Sequence, residues 1–79
     1  YEILLRESME ILEKTLVDLL RRGDVIARYS SSQYIVMLPM CSYEAAVIVM
    51  KRLLNGFYDR QKKKVQLQYS LDEMEIWNG

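Results

Sequence analysis

Apolar residues fall at Leu5, Met9, Leu12, Leu16 and Leu19/Leu20, in steps of three or four. That spacing keeps them on one face of a helix. Glu7, Glu10, Glu13, Lys14 and Asp18 lie largely off that face, and Glu10 and Lys14 form an i,i+4 pair in the favourable order. Arg21 and Arg22 suit the negative end of the helix dipole, and Gly23 suits the position just past the last turn. The pattern predicts a helix over about residues 2–21. The run Val25-Ile26-Ala27 and the run Ile35-Val36-Met37-Leu38 then flank a polar stretch, Arg28 to Tyr34, which reads as a β-hairpin. Its turn is the serine triplet, although serine lacks glycine's ease with positive φ. Pro39 closes the second strand because it has no N–H for a ladder.

Ser42 fits an N-cap, with Glu44 in the first turn. Ala46, Val49, Met50, Leu53, Leu54 and Phe57 recur at helical spacing, so a second helix is expected from about Tyr43 to Asn55 or Tyr58, with Gly56 near its end. After the polar connection Asp59–Lys64, the stretch Val65-Gln66-Leu67-Gln68-Tyr69-Ser70-Leu71 alternates strictly. It reads as a half-buried strand with Val65, Leu67, Tyr69 and Leu71 inward. The tail from Asp72 to Gly79 carries no clear pattern.

The hairpin is apolar on both sides. Tyr34, Val36 and Leu38 point one way, Ile35 and Met37 the other, and Val25 and Ala27 oppose Ile26 in the same manner. A sheet covered on one side only is normally polar on its back, so both faces are expected to be covered. The order α-β-β-α-β suggests an α+β fold, part of a ferredoxin-like sheet whose first strand is missing from this chain. The expectation is a single domain over residues 1–79, a fragment of a larger protein or a strand-mediated dimer, since an open slot beside a strand invites pairing.

Composition narrows the classes. Seventy-nine residues make at most one small domain. Eleven basic and eleven acidic residues cancel, which gives no electrostatic support to direct nucleic-acid or anionic-membrane binding. No apolar run reaches membrane-spanning length and no signal-peptide pattern is present, so a cytoplasmic location is the default. The lone Cys41, in a chain without histidine, has no partner for an internal disulfide, a zinc site or a Cys–His nucleophile. Lys62-Lys63-Lys64 reads as a solvated run ahead of a strand rather than a phosphate patch.

The segment Arg21-Arg22-Gly23-Asp24-Val25-Ile26-Ala27-Arg28-Tyr29-Ser30-Ser31-Ser32-Gln33-Tyr34-Ile35-Val36-Met37-Leu38-Pro39 resembles the signature region of GGDEF domains, the diguanylate cyclase family. In that family the turn Gly-Gly-Asp/Glu-Glu-Phe follows Arg-Tyr and leads into an apolar strand ending in Leu-Pro. The resemblance implies the nucleotidyl-cyclase palm fold. It also implies a degenerate turn, with Ser30 and Ser31 in place of the glycines, Ser32 and Gln33 in place of the acids, and Tyr34 in place of the phenylalanine. Two divalent cations on a triphosphate need anionic oxygens, which serine and glutamine do not supply. The expectation is therefore no enzyme activity, no catalytic or metal-binding residues and no cofactor.

Two further matches follow from the resemblance. Arg21-Arg22-Gly23-Asp24 fits the family's inhibitory Arg-x-x-Asp pattern, with Asp24 six positions before Ser30, and Arg52 matches an arginine on the following helix. Together Arg21, Asp24 and Arg52 would form a cyclic di-GMP or GTP site, arginine forks reading phosphate and guanine while the carboxylate accepts from guanine N–H. The alternative is that Arg21 is a helix-end cation and Asp24 satisfies backbone groups in the turn. More narrowly, the Arg-Tyr-Ser-Ser-Ser-Gln-Tyr variant with Tyr69-Ser70-Leu71 resembles the C-terminal region of bacterial regulators that carry a winged helix and a bacterial transcriptional activator domain. That resemblance implies a non-catalytic regulatory module that acts through protein contacts, either self-association or other domains of the same regulator.

Overall fold

The computed structural model describes residues 1–73. Helix α1 spans Glu2–Leu19, strand β1 Val25–Ser30, strand β2 Gln33–Met37 and helix α2 Tyr43–Arg60. The result is a small α+β unit in the order α-β-β-α, with β1 and β2 antiparallel in a two-stranded sheet.

The two helices lie antiparallel, and their seam holds the core. Met9, Leu16, Ala46, Leu53 and Phe57 are its buried apolar side chains. Phe57 is wholly enclosed, a burial that contributes about 2–3 kcal/mol. Helix α2 continues about one turn past Gly56, to Arg60. A Cβ built on Gly56 would stand 2.6 Å from Leu19 Cδ1 and 3.2 Å from Thr15 Cγ2. The glycine thus marks the closest approach of the helices.

Polar groups tie the same seam. Thr15 is fully buried; its hydroxyl donates to the Ile11 carbonyl at 2.7 Å and accepts from Arg60 Nη1 at 3.2 Å. Arg60 also pairs with Asp18 at 3.2 Å. Gln61 is buried just past α2, where its amide donates to Ser8 Oγ at 2.8 Å while its oxygen accepts from the Lys63 backbone N–H at 3.0 Å. Among the described residues, every buried side-chain nitrogen and oxygen has a partner. Burying these groups therefore carries no penalty for unmade hydrogen bonds. The exposed Lys63–Glu7 pair at 3.1 Å adds little.

Three expectations change in the structure. Helix α1 stops at Leu19, with Leu20 extended, so Arg21 and Arg22 lie beyond its last turn. Gly23 serves the next turn instead: its φ is 102°, and the Asp24 N–H donates to the Arg21 carbonyl at 3.1 Å. That is the i+2 glycine of a type II turn. Glu10 and Lys14 do not form an ion pair among the described residues.

The third change concerns residues 65–71, which join no ladder. Val65, Leu67 and Leu71 are half-buried and Gln66 and Gln68 exposed, as alternation requires, but Tyr69 is half exposed rather than inward. The Leu67 N–H donates to Tyr58 Oη at 2.9 Å. A strand completes its backbone bonds only beside another strand, and the described residues place none there. The part of the tail at 74–79 lies outside the described residues.

Helix α2 begins as its sequence suggests, with Ser42 Oγ accepting from the Ala45 N–H at 3.1 Å. Ahead of it, Met40 is fully exposed and adopts φ 57°, the left-handed region that costs a non-glycine residue about 1 kcal/mol. Two stability measurements by urea denaturation test this account. Gly56→Leu should destabilise the fold by about 1–3 kcal/mol by forcing the helices apart. Met40→Gly should stabilise it by about 0.5 kcal/mol, the relieved strain outweighing the freer unfolded chain.

Candidate functional site

The signature-like turn is closed without any left-handed serine, since among non-glycine residues of the described chain only Met40 has positive φ. A two-residue turn with ordinary φ mismatches the strand twist. The ladder absorbs the mismatch with a bulge. Pairing runs Val25–Met37, Ile26–Val36, Ala27–Ile35 and Arg28–Tyr34, then shifts to Ser30–Gln33, leaving Tyr29 as the extra residue. Side chains finish the turn. Ser30 Oγ accepts from the Ser32 N–H and donates to Gln33 Oε1, both at 3.2 Å. The Arg28 guanidinium reaches back to the carbonyls of Ser30, at 3.0 Å, and Ser31, at 3.1 Å.

This arrangement places a cation on the turn's carbonyl oxygens. Ser30, Ser31, Ser32 and Gln33 bring no negative charge, and Arg28 adds a positive one. Among the described residues no group of three or more His, Cys, Asp or Glu side chains is placed to hold a metal ion. Next to the turn, a shallow groove is lined by Glu2, Leu5 and Arg6 of α1 together with Arg28 and Ser31.

Tyr34 links the turn to the helix layer. Its hydroxyl donates to Glu13 Oε2 on α1 at 3.2 Å, and the Arg28 guanidinium carbon lies 5.7 Å from its ring centroid. Burial, together with the charge and hydrogen bond of Glu13, raises the phenol pKa above its usual value, and Arg28 opposes the rise. A phenylalanine at this position would keep the ring and lose the tie.

Of the three residues matched to a nucleotide site, the structure joins two. Asp24 Oδ2 accepts from the Arg21 backbone N–H at 2.8 Å and stands 3.7 Å from Arg21 Nε, with the Asp24 side chain only 4% exposed. Asp24 is thus engaged in closing its own turn. Arg52 is exposed on α2 and makes no hydrogen bond or ion pair with either residue.

The feature that residue chemistry does not occupy is the hairpin's outer face. Ile26, Val36 and Leu38 are half-buried on the side toward the helices. On the other side, Val25 is 47% exposed, Ile35 46% and Met37 43%, with Ala27 exposed among them; Tyr29, in the bulge, is 69% exposed. The period-2 pattern showed both faces to be apolar; the structure covers one of them.

Linkage gives the Tyr34 contact a direct test. A group whose pKa is raised on folding holds its proton better in the native state, so its stabilisation is present below about pH 10 and falls as pH rises through the folded value. Wild-type stability should therefore decline on the alkaline side, and Tyr34→Phe should flatten that decline in urea titrations at stepped pH. No family model matches the chain, and neither a curated protein nor a solved structure matches it.

Proposed function

We propose that the chain is a non-catalytic regulatory or interaction module of a bacterial signalling or transcription-regulator protein, built on the scaffold of a diguanylate cyclase palm. The observation that carries this reading is the Arg28 clamp. Where a cyclase gathers carboxylates to hold metal and triphosphate, this turn holds a guanidinium against its own carbonyls. Electrostatics there favour anions, not the divalent cations that phosphoryl-transfer chemistry uses. The antiparallel helices beside an antiparallel hairpin are what such a palm would retain of its helix layer and of one side of its sheet. The outer hairpin face supplies the apolar surface that an interaction module needs.

One observation favours a second reading, a cyclic dinucleotide or GTP sensor. Arg21 and Asp24 lie side by side at the corner before β1, and the Arg21 side chain remains well exposed. Against it, Asp24 already accepts from its own turn, and Arg52 stands apart.

Two assays separate the readings. Incubation with GTP and magnesium or manganese should release no pyrophosphate above the protein-free rate; release would overturn the non-catalytic reading. Calorimetry with cyclic di-GMP and with GTP should show no binding heat. Heat that disappears in Arg21→Ala would replace the interaction role with a sensor role.

A further inference from the structure

We draw no further inference here: the strongest candidate, the apolar outer face of the hairpin at Val25, Ala27, Ile35 and Met37, carries nothing because nothing in the structure shows what covers it.

Discussion

A two-stranded ribbon has no interior of its own, and the packed core of this chain lies between its two helices. The crossing of α1 and α2 at Gly56 is therefore the contact on which the other features depend. Because Gly56 has no side chain, Thr15 and Leu19 approach the α2 backbone, and Phe57 is enclosed. Close approach also brings Arg60 within reach of Thr15 and Asp18, and Gln61 within reach of Ser8. Buried polar groups stabilise only where each finds its partner, and here the geometry that provides partners is set by one missing methyl. The hairpin adds its half-buried residues, Ile26, Val36 and Leu38, and a polar tie from Tyr34 to Glu13.

The serine turn shows how side-chain chemistry redirects a backbone motif. Glycines in a hairpin turn allow left-handed φ and leave the backbone open to close approach by a ligand. Serines here avoid left-handed φ, and the ladder slips by one residue at Tyr29 to compensate. Their carbonyls then point where the Arg28 guanidinium can bond two of them. A neutral loop clamped by a cation has the opposite electrostatic character from a loop carrying two carboxylates. The difference follows from four adjacent residues, Ser30 to Gln33, and from the arginine two positions ahead of them.

Much of this was legible in the sequence, and the parts that were not have definite causes. Helix periodicity identified both helices, and alternation identified the hairpin and the opposed faces of Ile35 and Val36. The cap at Ser42 and the turn role of Asp24 were also readable, since each depends on neighbours within three residues. Gly56 was placed near the end of the second helix, but its packing role was not legible: the tertiary contact that favours glycine there involves Leu19, thirty-seven positions away, which no local pattern reveals. The partners Arg60 and Gln61 were hidden for the same reason. In Val65–Leu71 the alternation describes side-chain preference, whereas a strand also needs a neighbour for its backbone. Arg28 is visible in the sequence as a cation next to a polar turn, but its reach to Ser30 and Ser31 is set by tertiary geometry.

The two surfaces left open to function differ in how much a partner would gain from them. At the Arg21–Asp24 corner a ligand would have to compete with an intramolecular bond, because Asp24 Oδ2 already accepts from the Arg21 N–H and lies almost wholly out of solvent. Breaking that bond would leave a backbone donor unsatisfied and loosen the turn that starts β1. The outer hairpin face imposes no such loss. Its backbone is paired in the ladder, and its side chains carry no charge to desolvate. Burial there removes apolar surface from water without first breaking an intramolecular bond. The physical balance therefore favours association through the face over ligand capture at the corner, even though the corner carries the residues that most resemble a binding motif.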